Sequence, residues 1–288
     1  MTNIRSMKII KSALIYFLLA VMCCAIFYPI VLVIILPIQD SIELKQTLDP
    51  IYESTHNWIS IDYIARYPTI DNIKELLLYT PDFYKVFWNS VYIVLTIIVF
   101  QIIVAIPAAW TFAQFRFKGK RFIFNIYVLF MLMPFQVTML SQYLVLDKLG
   151  LLNTRMSIIL PAIFSTFSVF LIYRKFSEIP RDISDSARID GANELEVLWH
   201  IGIPLGKNGI IACLVITFLD LWNMVEQPLA FLKDKELFPL SLYLPSIGLE
   251  NSQLLLTASA ITLIPSAFVF IIGQDYLEQG IIASALKE

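Results

Sequence analysis

The sequence predicts an all-α integral membrane protein with six transmembrane helices. Three observations carry this reading. Of 288 residues, 58% are hydrophobic and only 15% are charged, against about 25% charged residues in ordinary soluble domains. The mean hydropathy is +0.73. Six separate segments also match the ~20 apolar residues needed to cross a hydrocarbon core. They cover 13–37, 87–110, 122–144, 156–176, 209–229 and 254–274, within a single transmembrane domain over 1–288.

In chain order, Arg5, Lys8 and Lys11 precede an apolar run from Ala13 to Ile38. That run exceeds the 7–15 apolar residues of a signal-peptide core, and no small-residue cleavage site follows it, so it reads as a retained first span. The connection 39–86 is rich in acids and carries Tyr52, Trp58, Tyr63, Tyr67, Pro68 and Tyr79. A small folded or interfacial segment and a passive lid explain this composition equally well. Within it, Ile73, Leu76, Leu77 and Tyr84 suggest an amphipathic helix over 70–85. The link after the second span holds Arg116, Lys118, Lys120 and Arg121 without an acid. Pro29, Pro107, Pro134, Pro161 and Pro265 fall inside predicted spans and predict kinks whose freed backbone groups neighbouring helices satisfy. Because basic residues collect in cytoplasmic loops, the chain is expected to place both termini and residues 180–204 in the cytoplasm, and 39–86 outside.

The stretch 180–204 stands apart. Asp182, Asp185, Arg188, Asp190, Glu194 and Glu196 exclude it from hydrocarbon, where each charge costs about 2.5–3.5 kcal/mol on insertion scales. Ile183, Ser186, Ala187 and Asp190 follow the spacing of one helix face. Gly191 supplies backbone freedom for a turn. Asn193 and Glu196 have the spacing of a capping box, opening a second helix with Leu195, Leu198 and Trp199 on one side and a stop near Pro204. A helix, a glycine turn and a second helix form a knob outside the bilayer, a shape suited to docking.

Enzyme chemistry finds no support. Cys23, Cys24 and Cys213 lie in apolar runs, which argues against a disulfide framework. His56 and His200 fall on opposite sides of the membrane and cannot share a metal, so no metal site is expected. The run Gly202-Ile-Pro-Leu-Gly206-Lys207-Asn208 lacks the glycine spacing and the Ser or Thr of a phosphate-binding loop. Gln136, Asp220, Trp222 and Asn223 are the candidates for a translocation path, since polar groups at membrane depth are functional hypotheses by default. Glu226, Gln227, Ser165, Thr166 and Ser168 add further polar groups. This inventory suits a neutral polyhydroxylated solute, and equally suits interhelical hydrogen bonding.

The stretch Asp185-Ser-Ala-Arg-Ile-Asp-Gly-Ala192, followed by Ile201-Gly-Ile-Pro204, resembles the EAA signature of ABC importer permeases. Asp185 stands where that family usually has Glu, and Ser186 where it has Ala. Asn89-Ser90, Phe115 to Arg121, Lys148 to Thr154 and Trp222-Asn223 with Pro228-Leu229 extend the resemblance to the maltose-type second permease subgroup, over about residues 85–282. Loop 39–86 is longer than usual there, and Glu226-Gln227 occupies positions where hydrophobic or aromatic residues are common.

The resemblance implies the type I importer permease fold, with 180–204 as a cytoplasmic coupling loop docked on an ATPase through Asp185, Ser186, Ala187, Asp190, Gly191, Ala192 and Pro204. It implies a second permease subunit, two cytoplasmic ATPase subunits, an extracellular solute-binding protein and a carbohydrate-class solute. ATP and Mg would be used by the ATPases, with no cofactor bound by this chain, and alternating access would follow ATP binding. The tail from Gln274 to Glu288 would also reach the ATPase. The implied location is the bacterial cytoplasmic membrane. Two other readings are an ion-gradient-driven secondary transporter or channel using Asp220 or Glu226, and a non-transporting membrane scaffold or sensor. The first predicts activity without an ATPase, the second no solute-accessible cavity.

Overall fold

The computed structural model describes residues 2–52, 65–247 and 251–285, with side chains over 11–40, 42–48, 65–247 and 251–278. His56, Trp58 and Tyr63, the Tyr52 side chain and the last residues of the tail lie outside these. Among the described residues the regular structure is helical: α1 Thr2–Ile35, α2 Ser41–Tyr52, α3 Asp71–Lys74, α4 Pro81–Gln114, α5 Lys120–Met131, α6 Phe135–Lys148, α7 Met156–Ile163, α8 Thr166–Ser177, α9 Arg181–Ile189, α10 Glu194–Val197, α11 Ile203–Trp222, α12 Glu226–Phe231, α13 Leu240–Tyr243 and α14 Ser252–Ala285. Five helical stretches are long and apolar enough to cross a membrane, and six if α5 and α6 form one span. The all-α membrane architecture is therefore as the composition predicts.

The spans differ from the sequence reading in detail. Segment 122–144 is not one helix, because α5 and α6 meet at an angle of 98°. Pro134 sits at the N-cap of α6 in an extended conformation (φ −67°, ψ 149°), and a residue preceding proline is disfavoured in the helical region. The proline thus makes a break where a kink was expected. Pro29, Pro107 and Pro265 lie inside continuous helices. The fifth span ends at Trp222 rather than near 229, and Glu226 and Gln227 begin α12. Asp220 and Glu226 therefore do not share a helix.

The chain divides into two compact units, residues 1–81 with 247–262, and residues 82–246 with 263–288. In the first, segment 39–86 begins as folded structure. Asn72 donates to the Pro37 and Gln39 carbonyl oxygens, each at 2.8 Å, and accepts from Gln253. The Glu43 carboxylate accepts from the Arg66 and Tyr67 amides, and Leu44 and Leu76 are buried. Of the expected amphipathic helix over 70–85, residues 71–79 are helical, as α3 and a π-helical turn, and Pro81 already opens α4.

The second unit packs α4, α8, α10 and α11 around a core that includes Trp110, Ile172, Phe176, Val197 and Ile210. Trp110 meets Phe176 edge to face at 5.2 Å. Helix α4 outruns the bilayer. At ~1.5 Å per residue the 34 residues of α4 extend roughly 51 Å, against a hydrocarbon core of about 30 Å.

Candidate functional site

The knob is built on the projecting C-terminal end of α4. Gln114, the last residue of α4, is buried and donates to the Phe176 and Ile179 carbonyl oxygens at 3.2 and 3.3 Å. These carbonyls sit at and just beyond the C-terminus of α8, where a helix leaves acceptors unsatisfied. The Gln114 Oε1 in turn accepts from Ser184 of α9 at 3.4 Å. Arg181 donates to the Ala113 carbonyl at 3.3 Å. One glutamine and one arginine thus tie α9 to the ends of two spans.

Turn geometry explains the residues at 187–193. The Ala192 amide donates to the Ala187 carbonyl at 3.0 Å and the Gly191 amide to Arg188 at 3.1 Å, the paired bonds of a Schellman motif. This motif requires a left-handed residue, and Gly191 has φ +94°, which costs glycine little. Ala187 and Ala192 pack on the core, as the two apolar ends of such a motif commonly do. Asn193 then accepts from the Glu196 amide at 3.0 Å while Glu196 accepts from the Asn193 amide at 2.7 Å, the capping box expected from their spacing.

Arg188, not singled out from the sequence, joins the two helices. Its Nε and Nη2 donate to Glu194 at 2.7 and 3.2 Å, and its Nη1 to Asp185 at 2.5 Å. The guanidinium also lies 5.8 Å from the Phe115 ring centroid, within cation–π range. The hydrogen bond to Glu194, followed by that to Asp185, raises the Arg188 pKa against the opposing effect of burial. Asp185 is therefore held from behind, beside the turn.

Burial orients both helices of the knob, and the expected end of the second needs correction. The inward face of α9 is marked by buried Ser184 with Arg181, Ala187 and Arg188 half-buried, while Ile183, Ser186 and Asp190 are exposed. In the second helix Leu198 is buried, but Leu195 and Trp199 are 66% and 64% exposed, and Ile189 is 86% exposed. The knob thus presents large apolar side chains outward among charges. The second helix also does not stop near Pro204. A π-helical turn over Leu198–Gly202 carries α10 into α11, and Pro204 lies in the first turn of α11, where a missing amide proton is tolerated. Glu194–Trp222 is a single stretch of 29 residues.

A second feature lies at membrane depth. The breaks at 132–134, 164–165 and 223–225 are lined up around one cleft of about 470 Å³, bordered by Phe130, Met133, Phe135, Phe164, Ser165, Asp220 and Gln227. Irregular backbone at this depth is tolerated where it is buried or lines a cavity. Thr138, Gln142, Gln101 and Thr217 add polar groups. Gln101 donates to Ser168, and Gln142 donates to Thr138 at 3.2 Å.

The predicted path residues distribute unevenly. Asp220 lines this cleft. Gln136 lines a neighbouring, mostly apolar cleft with Phe135, Met139 and Glu226, and donates to both Glu226 oxygens at 2.8 and 2.9 Å. Trp222 is 3% exposed, stacked on Phe218 at 5.5 Å and edge-on to Phe87, a packing position. Asn223 is exposed and donates to the Leu219 carbonyl at 2.9 Å, finishing α11. Asn89, Ser90 and Asn153 hold the segment 233–240: Asn89 donates to the Glu236 carbonyl, Ser90 accepts from the Leu240 amide, and Asn153 accepts from the Lys233 and Asp234 amides.

Comparisons with known proteins agree with this architecture. Residues 101–283 match the family model described as binding-protein-dependent transport system inner membrane component. The chain is 29% identical to the arabinooligosaccharides transport system permease protein AraQ of Halalkalibacterium halodurans, over 83% of this chain and 86% of the relative. It is 28% identical to the lactose transport system permease protein LacG of Rhizobium radiobacter, over 74% of this chain and 79% of that one. In fold it is similar to a chain of a bacterial ABC transporter involved in the import of the acidic polysaccharide alginate, with a TM-score of 0.80, 21% identity, and coverage of 93% and 96%.

Proposed function

The chain belongs to the family of binding-protein-dependent transport system inner membrane components, and from that premise we propose that it is one half of the translocation path of an ATP-driven importer for a carbohydrate-class solute. The other half is a second permease, an extracellular binding protein delivers the solute, and two ATPases on the cytoplasmic side hydrolyse ATP with Mg. The relatives' printed names, for arabinooligosaccharides and lactose, support the solute class. The basic residues of the N-terminal stretch, of 116–121 and of 174–207 support an orientation with both termini and the knob in the cytoplasm.

The observation that carries the reading is the knob. Exposed Ile189, Leu195 and Trp199 stand on helices rich in charge, so lipid does not cover them, and the second of these helices runs unbroken into a span. Apolar anchors ringed by polar groups are the usual composition of a protein interface. In this reading Asp185, Ser186, Ala187, Asp190, Gly191 and Ala192 shape the docked element, and Pro204 starts the lever that leads into the membrane. The cleft at the helix breaks is this chain's contribution to the solute path.

The test uses the chain expressed with its ATPase and second permease. Gly191→Pro removes the φ +94° conformation, and Asp190→Lys reverses a charge at the turn. Both are expected to insert in the membrane normally, while retaining less ATPase on purification and losing ATP-driven uptake. Normal retention and normal uptake in both variants would exclude the docking role.

A further inference from the structure

The cleft at the helix breaks has a composition that discriminates among solutes. Its lining includes one carboxylate, Asp220, and no basic side chain among the described residues. The amide oxygens of Gln142 and Gln227 are buried and have no hydrogen-bond partner among the described residues, although a buried acceptor is normally paired. Both residues border the cleft. The rest of the lining mixes the aromatic and thioether groups of Phe130, Phe164, Phe167, Met131 and Met133 with the hydroxyls of Thr138, Ser165, Thr166 and Thr217. Amide oxygens without partners, a lining carboxylate and apolar ring faces together fit a molecule with many hydroxyl donors and apolar C–H faces.

Resting on the reading of this cleft as the solute path, we propose that it is a contact site for a neutral oligosaccharide and discriminates against anionic ones. Gln142 and Gln227, at the border of the cleft, turn their amide oxygens to accept from solute hydroxyls. Asp220 accepts from a further pair, and its charge repels a uronate or a phosphate. The alginate importer that shares this fold is described as carrying an acidic polysaccharide. In the present chain a solute carboxylate would meet Asp220 with no lining cation to offset it. Charge of one sign in a site of low dielectric acts strongly on what enters.

The experiment uses the assembled transporter in detergent, in a background with Cys23, Cys24 and Cys213 replaced. Gln142→Cys and Gln227→Cys are introduced singly, and the rate of alkylation by a small thiol reagent is measured with a neutral trisaccharide of arabinose, or with a trisaccharide of uronic acids. Alkylation after denaturation reports that each variant is intact. The neutral sugar is expected to protect at about tenfold lower concentration than the acidic one, and Asp220→Lys is expected to reverse that order. Equal or better protection by the acidic sugar, or protection by neither, overturns the proposal. ATP-driven uptake by the parent complex is recorded in parallel. Uptake without protection sinks this assignment alone, whereas loss of ATP dependence sinks the importer reading on which it rests.

Discussion

Gly191 is the residue whose chemistry is most tightly specified. Its φ of +94° costs any residue with a Cβ about 1–2 kcal/mol, while nothing lies within 4 Å of the Cβ position, so the penalty is conformational and not steric. Gly191→Ala is therefore expected to lower stability by about 1–2 kcal/mol without disturbing packing, read as a drop in melting temperature and weaker ATPase retention, with Ala and Leu equivalent at this site. Arg188 makes a different kind of contribution. Its partners are 46% and 60% exposed, so each ion pair is screened, and a double-mutant cycle with Glu194→Ala should return a coupling of about 0.2–1 kcal/mol. Glu194 raises the folded pKa of Arg188. The resulting stability is present below the unfolded guanidinium value and is lost only as pH rises through the folded one. Raising pH from 7 to 9 should accordingly leave the coupling unchanged, and a cycle that changes over this range would exclude the arginine as its source. The capping box of Asn193 and Glu196 was legible because it is a local spacing. The Arg188 bridge was not, since Glu194 lies six residues away across a turn and no helical period connects them.

At the scale of elements, the approach of α11 to α8 depends on the absence of a side chain. A Cβ on Gly206 would overlap the Phe176 ring, and one on Gly202 would come within 2.8 Å of Trp110. Small residues let spans approach closely, which matters where lipid offers no hydrophobic drive to association. Gly206→Ala is expected to lower the melting temperature of the purified transporter, with a cost of about 1–3 kcal/mol from overpacking. Phe176→Leu introduced with it should restore part of the loss, whereas simple additivity of the two changes would show that the ring and the glycine do not meet. The existence and type of the spans could be read directly from apolar length. Their interruptions could not, because proline sits inside a continuous helix at Pro107 but at a break between two helices at Pro134. The cleft at 132–134, 164–165 and 223–225 was hidden for that reason, although Pro134 and the polar residues near it were visible. Which face of α9 turns inward could not be read from its spacing alone. Ile183 and Ile189 are apolar yet face outward, as the residues of a docking surface do.

Across the whole of the second unit, the knob and the spans form one mechanical path. Gln114 joins the end of α4 to the carbonyls of Phe176 and Ile179 and to Ser184, while the π-helical turn at 198–202 carries α10 into α11. On the proposed coupling role, a displacement of the knob would reach α4, α8 and α11 together, and α11 carries Asp220, which lines the cleft. The charged stretch disclosed the knob end of this path and Asp220 was visible at the other, but its middle rests on one buried amide that looks like any other polar residue at the end of a span. Gln114→Leu keeps a similar volume and removes every one of these bonds, leaving Ser184 and two carbonyls without their partner at a cost of about 1–3 kcal/mol for an unsatisfied buried group. With the Schellman turn and the Arg188 bridge intact, ATPase docking should survive. Proteoliposomes carrying this variant are therefore expected to hydrolyse ATP at close to the normal rate and to import several-fold less solute per ATP. An unchanged ratio of solute to ATP would show that motion reaches the cleft by another route, and a parallel loss of both activities would show that Gln114 serves docking itself.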